Sequence, residues 1–597
     1  MSRLAIAAAI LAAAVAFPAR AAQEPGPDPA LHALFEREFR RSQEEFPEFA
    51  TMRGNHAFND RLHDKSPQAI ARRKAHVKAV LAELDGFDPA KLSAQDRLSL
   101  AMMRESLRRA DAMNALYGDL PFGAGMGEGW LQVSPMFGPQ ALLAMLARAT
   151  PFRDARDYEN YLKRLDAVPR VLGEATVLME AGMKSGWLPP RAAMSKVSGQ
   201  LAAFSEGDPA ASPLYAPFRQ FPAGIPAAEQ ARLAEAGKQA VAKRVQPAFA
   251  ALRRFVEDKY LPACREDLAA SKLPAGMAYY QKMVRDMTTT ELTAQEIHDI
   301  GLAEVKRIRA EMDKVIAASG VEGSFAQFVQ FLRTDPRFYH QTADEMLAHY
   351  RDIAKQADAE LPRFFAELPR LPYGIRAMPA FMGDNAEHYT SGALDGSRAG
   401  FFEANTNNLS RRPKHDMPAV LLHEAVPGHH LQSARAQELK SIPAFRRSSH
   451  YVAYGEGWAL YAEALGEEMG LYRDAYAKFG RLSMEMWRAC RLVVDTGLHA
   501  FGWTREQSIR YLADTAGIQE SVAIAEVDRY ILNPGQALGY KIGELRIKAL
   551  RAKATRALGA RFDLRRFHNA LLDDGALPLT LLEARIDEWI AREKAAS

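Results

Sequence analysis

Three histidines and one glutamate lie within eight consecutive residues of this chain. They are His423, Glu424, His429 and His430, in the segment HEAVPGHH. Imidazoles and carboxylates are zinc ligands, and a zinc hydrolase needs two ligands close together, a third from elsewhere and a carboxylate base. Glu424 directly follows the first candidate ligand, so we expect it to be the general base that takes a proton from water and passes it to a leaving amine.

The spacing of these histidines differs from the usual pair one helical turn apart, because Pro427 stands where the second histidine of that pair would be. Seven residues of straight helix rise about 10.5 Å, too far for two nitrogens that each bind one zinc ion at about 2.1 Å. Proline breaks the helical hydrogen-bond ladder and glycine allows unusual backbone angles. We therefore expect a distorted helix over 425–428 that returns His429 or His430 to His423. The alternative is a kinked helix with incidental histidines.

The segments around this motif have helical patterns. Capping-box sequences at Thr293–Glu296 and Thr342–Glu345 predict two helix starts. The fold class predicted is mainly α: a large multi-helix, two-lobed body around a cleft, with a small β element before the zinc-motif helix. The helices predicted by periodicity are at about 227–260, 293–318, 417–440, 454–470, 473–501, 505–515, 519–531 and 536–556.

The β element is expected at Gly400–Thr406, either as an edge strand that aligns a peptide or as a packing hairpin. We divide the chain into residues 1–22, a signal peptide, 23–390, a helical N-terminal region, and 391–597, a helical catalytic region. The leader has Arg3, an apolar stretch and the cleavage sequence Ala-Arg-Ala, so we expect a periplasmic or secreted protein.

Composition narrows the possible partners. The chain has 597 residues, 48% hydrophobic and 25% charged, as in ordinary globular enzymes. A net charge of +4 without a basic run argues against nucleic acid, and no apolar run after the leader is long enough for stable membrane insertion. Nothing in the sequence defines an oligomeric state. Cys264 and Cys490 could form a disulfide, but their apolar helical surroundings favour two buried free thiols.

Polar residues downstream could hold a substrate. Arg491, Asp495 and His499 recur every four residues, so they share one helix face, with Asp495 able to hydrogen-bond both neighbours. We expect His499 to donate to a peptide carbonyl and Arg491 to face the substrate; the alternative is a solvated ion-pair face. Arg529 is a candidate for binding a substrate carboxylate, because guanidinium groups form bidentate pairs with carboxylates.

The sequence resembles a known bacterial family. HEAVPGHHLQ, preceded by DGSR and RPKHDMPA and followed by EGWALYAE, VVDTGLHAFGWT and NPGQALGYKIGELR, is similar to the family catalogued as domain of unknown function 885. That family resembles the helical gluzincin peptidases, in which glycine directly precedes the second histidine ligand. The resemblance therefore implies that His429, after Gly428, is the second ligand, with His430 as the alternative.

The same resemblance implies further site residues. Gluzincins take a third ligand from the following helix, which corresponds to Glu456, 27 residues after His429, with Glu463 as the competitor. They also use a downstream tyrosine to stabilise the oxyanion; Tyr540 resembles it best, and Tyr530 is assigned to substrate binding. The implied activity is zinc-dependent hydrolysis of short peptides, with one zinc ion per chain. The alternatives are a zinc hydrolase of non-peptide amides or esters and a non-catalytic binding protein.

Overall fold

The computed structural model describes residues 26–379, 386–394 and 396–596, so the predicted signal peptide over residues 1–22 lies outside the described residues. Helices dominate these residues, and the mainly α prediction is confirmed. The helices are α1 (Pro29–Glu45), α2 (Pro47–Met52), α3 (Pro67–Leu84), α4 (Ala94–Tyr117), α5 (Pro139–Ala149), α6 (Ala155–Ser185), α7 (Val197–Ser205), α8 (Ala227–Ala240), α9 (Gln246–Phe255), α10 (Leu261–Ala263), α11 (Gly276–Thr288), α12 (Ala294–Ala318), α13 (Phe325–Thr334), α14 (Ala343–Phe364), α15 (Met417–Glu424), α16 (His429–Glu438), α17 (Ala444–Arg447), α18 (Val452–Glu468), α19 (Ala475–Ala500), α20 (Arg505–Ala516), α21 (Glu520–Leu532), α22 (Gly539–Leu558), α23 (Leu564–Leu572) and α24 (Leu579–Ala595).

Local sequence signals account for several helix boundaries. Both predicted capping boxes are present: Thr293 and Glu296 close the start of α12, and Thr342 and Glu345 close the start of α14. The helix predicted over 227–260 is present as α8 and α9, each followed by a π-helical turn, and it continues into the short helix α10. Proline stands at the first or second position of several helices, where its missing N–H leaves no helical hydrogen bond unmade.

A three-stranded sheet precedes α15, where the small β element is expected. It contains β1 (Tyr373–Ala377), β2 (His388–Thr390) and β3 (Gly400–Ala404), in the order β1-β3-β2. β3 lies in the middle, parallel to β1 and antiparallel to β2, and it is mostly buried. The prediction of an edge strand at this position is therefore wrong, because both sides of β3 are hydrogen-bonded to other strands. The antiparallel pairing of β3 with the preceding strand β2 fits the alternative prediction of a packing hairpin.

Close helix contacts hold the body together. Gly301 of α12 lies so near α19 that an added Cβ would be 2.8 Å from side-chain atoms of Leu492 and Val493. Two large hydrophobic cores each draw residues from the chain before and after residue 390. Cys264 and Cys490 are free and buried, as expected. Among the helices of the described residues, none is long and apolar enough to cross a membrane.

Candidate metal centre

The break between α15 and α16 brings the two histidines of the motif together. α15 ends at Glu424, α16 begins at His429, and the distortion predicted over 425–428 is confirmed. Gly428 packs directly on the backbone carbonyls of Leu422 and His423, and an added Cβ there would overlap both oxygens. Only glycine allows this contact, which turns the chain back so that the rings of His423 and His429 are 4.8 Å apart.

Glu456 completes a group of three donor atoms. Its Oε2 lies 3.4 Å from Nε2 of His423 and 3.3 Å from Nε2 of His429, and the three ligand atoms all lie within 4.8 Å of one another. Ligand atoms on a tetrahedral zinc ion at about 2.1 Å are about 3.4 Å apart. Oε2 of Glu456 is buried and has no hydrogen-bond partner among the described residues. The donor set therefore fits a zinc ion.

Glu463 orients His423 from the opposite edge of the ring. Nδ1 of His423 donates to Oε1 of Glu463 at 2.8 Å, which leaves Nε2 facing Glu456. A carboxylate behind a histidine in this way is typical of metal-binding sites. Burial alone would lower the pKa of His423, but Glu456, Glu463 and Glu424 raise it to about 9. The surroundings of His423 thus favour positive charge, and Glu463 contacts the histidine rather than serving as a third ligand.

His430 has both ring nitrogens occupied elsewhere. Nε2 donates to the carbonyl of Leu371 at 3.0 Å, and Nδ1 accepts from the hydroxyl of Tyr389 at 2.9 Å. Burial lowers its pKa to about 4, so the ring is neutral. His430 ties α16 to the sheet region and has no nitrogen available for the site, so the geometry favours His429 between the two alternatives.

Glu424 lies beside the three donor atoms without being one of them. Its Oε1 is 4.0 Å from Nε2 of His423, the nitrogen that faces Glu456. The carboxylate is largely buried and accepts no hydrogen bond from the part of the chain that the structure describes. A carboxylate with free acceptor positions at the edge of the site can accept a proton.

The packing of α18 against α22 brings Tyr540 to the site. Gly457 and Gly543 meet where these helices touch, and an added Cβ on Gly543 would overlap the carbonyl oxygen of Ala453. The glycine beside Glu456 thus makes room for a neighbouring helix. The ring of Tyr540 lies nearly parallel to that of His423, 6.2 Å away. Burial and then the charge of Glu456 raise the pKa of Tyr540, so its hydroxyl is a proton donor.

Arg491, Arg529 and Tyr530 form one cluster around Glu526. Arg491 donates to the hydroxyl of Tyr530 and to Glu526, both at 2.9 Å. Arg529 also binds Glu526, and its Nη1 donates to Oε1 of Gln536 at 2.5 Å. The guanidinium of Arg491 stacks on the ring of Tyr540 at 4.4 Å. Two guanidinium groups share one carboxylate here, and Nη1 of Arg491 is buried without a hydrogen-bond partner among the described residues.

His499 is not arranged as the sequence predicts. It is fully buried: Nδ1 accepts from the backbone N–H of Ala270 and Nε2 donates to the carbonyl of Tyr530, both at 3.0 Å. Neither nitrogen is left to donate to a substrate. Asp495 does not hydrogen-bond its neighbours on the stripe either, because it accepts from the hydroxyl of Tyr280 and the N–H of Gly535. Burial raises the pKa of Asp495 to about 7.

His450 is a site residue that the sequence analysis did not identify. It precedes α18, and its ring lies against Gly455, whose added Cβ would be 3.7 Å from Cε1 of His450. Its side chain is exposed, yet burial lowers its pKa, with Glu456 opposing and His429 adding to that effect. No spacing rule in the sequence connects His450 to the motif.

The fold and the site describe a mainly helical protein with a two-histidine, one-glutamate donor set. The chain belongs to the family described as "Bacterial protein of unknown function (DUF885)", which it matches over residues 47–586. None of the curated proteins compared matches this sequence.

Two solved structures are similar to this chain. A "putative lipoprotein" from Colwellia psychrerythraea is 28% identical, with a TM-score of 0.88 over 94% of this chain and 99% of its own. A "putative lipoprotein of unknown function" from Shewanella oneidensis shares the fold at 18% identity, with a TM-score of 0.70 over 93% of this chain and 98% of its own. Neither description names an activity, so function must be inferred from the site.

Proposed function

We propose that this protein is an exported zinc-dependent metallopeptidase that hydrolyses short peptides. The observation that carries the proposal is the donor set of His423, His429 and Glu456, in which a buried carboxylate oxygen has no hydrogen-bond partner among the described residues. A buried carboxylate oxygen that faces two imidazole nitrogens without a hydrogen bond from either costs free energy that a bound cation recovers. Glu424 beside the donors adds the base that a purely structural metal site does not need.

Each residue has a definite part in this reaction. Zinc held by His423, His429 and Glu456 would supply a Lewis acid that polarises the scissile carbonyl and acidifies water. Glu424 accepts a proton from the attacking water and delivers it to the amine nitrogen as the amide C–N bond breaks. Glu463 keeps the Nδ1 proton of His423 in place, so that Nε2 keeps its lone pair directed at the site.

Donors on the substrate side complete the proposed site. The hydroxyl of Tyr540 is assigned to the carbonyl oxygen, which becomes negatively charged during the attack. Arg491 stacks on the ring of Tyr540 and positions it, together with the cluster of Arg529 and Tyr530. His450, whose exposed ring lies against Gly455, takes the part of second donor that the sequence predicts for His499. The predicted signal peptide supports a periplasmic or secreted location.

The first test is the metal content of the purified mature protein and its variants. We expect about one zinc per chain in the wild type, and loss of zinc in His423→Ala, His429→Ala and Glu456→Ala. His430→Ala is the matched control: it should keep zinc, because the nitrogens of His430 bind Tyr389 and Leu371. A wild type that holds no zinc after reconstitution contradicts the proposal.

Turnover is tested with the same preparations. Glu424→Gln should keep its zinc and lose about 10²- to 10⁴-fold in the rate of peptide hydrolysis, the contribution typical of a general base. The substrates are unmodified short peptides, compared with non-peptide amides and esters. Turnover of only the non-peptide compounds would make the protein a zinc hydrolase of another class, and binding without any turnover would make it a binding protein.

A further inference from the structure

The two histidines of the donor set are held in different ways. Nδ1 of His423 donates to Glu463, so a side chain fixes that ring from behind. Nε2 of His429 lies 3.3 Å from Oε2 of Glu456, but its Nδ1 makes no hydrogen bond within the described residues. The side chain of His429 is also more exposed, at 19% against 4% for His423. The position of His429 therefore depends on the backbone that carries it.

That backbone is the break between α15 and α16, residues 425–428. The carbonyls of Ala425 and Gly428 accept hydrogen bonds from backbone N–H groups of α16, at 3.0 and 3.1 Å. Pro427 is buried, and its carbonyl is bound from another helix: it accepts a hydrogen bond at 2.8 Å from Nε1 of Trp458. Trp458 thus fastens the break to α18 at a point two residues before His429.

Trp458 is a rigidly held donor. It lies two residues after Glu456 in α18, and only 1% of its surface is exposed. Its ring packs against the rings of Tyr461 and His568, with 5.7 and 5.8 Å between the centroids. The indole cannot follow a moving loop when it is packed in this way. The hydrogen bond to Pro427 therefore fixes the break relative to the helix that supplies the third ligand.

Loss of this hydrogen bond would leave the buried carbonyl of Pro427 unpaired. A buried acceptor without a partner costs free energy, which the backbone avoids by moving toward another donor. Distances between a zinc ion and its ligands vary by only about 0.2 Å, so a small shift of the backbone is enough to displace a ligand. Such a shift in residues 425–428 would carry His429 away from Glu456.

We propose that Trp458 is a positioning residue, whose indole N–H holds the carbonyl of Pro427 and thereby places His429 at the zinc ion. The inference rests on the proposed function, because it requires His429 to be a zinc ligand. It gives α18 two parts in the same site. Glu456 supplies a ligand directly, and Trp458 sets where a second ligand lies relative to it.

The experiment measures zinc affinity by competition with a chelator. Trp458→Phe keeps an aromatic ring but lacks the N–H, and it should bind zinc about 10-fold more weakly than the wild type, as is typical when an outer partner of a metal site is lost. Trp130→Phe is the matched control, because its indole is also buried and donates to the hydroxyl of Tyr279 at 3.1 Å. Both variants lose one buried hydrogen bond, but Trp130→Phe should keep the wild-type zinc affinity.

Trp458→His tests the hydrogen bond itself. In the five-membered ring of histidine, Nε2 takes the position of the indole Nε1, so this variant keeps a donor to Pro427 although it fills less space than Trp458→Phe. It should therefore bind zinc more tightly than Trp458→Phe. A role of Trp458 in packing alone predicts the reverse order, because the smaller ring leaves the larger cavity. If Trp458→Phe does not fold, Trp458→Tyr replaces it, since it fills more of the space and has no N–H at that position.

The outcomes separate this inference from the proposed function, because zinc affinity is measured without turnover. Equal affinities in the wild type and Trp458→Phe, equal losses in Trp458→Phe and Trp130→Phe, or weaker binding by Trp458→His than by Trp458→Phe each overturn the inference. If the wild type hydrolyses peptides in any of these cases, the metallopeptidase proposal stands. The predicted order of affinities in a protein that hydrolyses no peptide supports the inference and contradicts that proposal. A wild type that binds no zinc overturns both.

Discussion

His423, His429 and His430 differ in what surrounds their ring nitrogens. His423 donates to Glu463 through Nδ1, which leaves Nε2 for the site, and Nε2 of His429 lies 3.3 Å from Glu456. His430 uses both nitrogens to hold the sheet region. The sequence places His429 and His430 side by side and cannot distinguish them by residue type. Their different surroundings follow from the direction in which α16 leaves Gly428.

At the residue scale we predict that Glu463→Gln weakens zinc binding by about 10- to 100-fold, as is typical when the partner behind a metal-binding histidine is changed. The amide can still accept from Nδ1 of His423, but it lacks the negative charge that strengthens the hydrogen bond. Competition with a chelator measures the affinity. Glu468→Gln, further along α18, is the control, because Glu468 pairs with Arg551. Equal affinities for the two variants would contradict the role of Glu463.

At the element scale, the helix periodicity of the sequence predicts which residues share a face but not what that face contacts. Arg491, Asp495 and His499 do lie along α19, yet each binds a different neighbour: Glu526, Tyr280 or the backbone of Ala270. The stripe is buried in the protein and not solvated. Strand patterns have the same limit, because the residues of β3 indicate a strand without showing that two other strands flank it.

What the sequence did predict follows from local chemistry. Capping boxes, the break at Pro427 and the glycine before His429 act within a few residues, so each is readable in the chain itself. The hydrogen-bond partners of His430 and His499 lie far away in sequence, and no local pattern predicts them. Glu456 is an intermediate case. Its spacing from the motif is readable in the sequence, but its assignment as a ligand depends on the resemblance to gluzincins.

The contact of α18 with α22 gives a prediction about an element. In Gly543→Ala the new methyl group would overlap the carbonyl oxygen of Ala453 and lie 2.8 Å from Cα of Gly457. Backbone atoms cannot move aside as side chains do, so we expect a loss of about 1–3 kcal/mol in the free energy of unfolding. Because α22 carries Tyr540, kcat should fall as well.

Gly173→Ala is the matched control for this variant. Gly173 lies in α6, and an added Cβ there meets nothing within 4 Å. Alanine is favoured over glycine within helices by about 0.5–1 kcal/mol, so this variant should be as stable as the wild type or more stable. Denaturant-induced unfolding measures the free energy of unfolding of both variants. A Gly543→Ala protein that unfolds at the wild-type midpoint would show that α22 can shift without cost.

At the scale of the whole molecule, the segments on either side of residue 390 share their interior. β1 precedes that residue, β2 ends at it and β3 follows it, and α12 packs on α19 through Gly301. The fully buried ammonium of Lys541 contacts Glu304 of α12 at 2.9 Å, in addition to Glu485 and Glu544. Both hydrophobic cores contain residues from each side. The proposed metal ligands all follow residue 390, but part of the surface that supports their helices comes from residues before it.

We therefore predict that residues 391–597 do not fold when expressed alone, although they contain every proposed zinc ligand. The fragment would lack both strands that pair with β3 and the surface of α12 that covers α19. It would also lack Ala270, whose backbone N–H donates a hydrogen bond to His499. The free-energy cost of the exposed apolar surface and of the unpaired buried polar groups together exceeds the small free energy of unfolding of a typical protein. Near-ultraviolet circular dichroism and denaturant titration should show no cooperative transition, and zinc should bind weakly if at all. Adding residues 23–390 as a second chain should restore both. A fragment that unfolds cooperatively and binds one zinc ion would show that the C-terminal helices are sufficient to form the site.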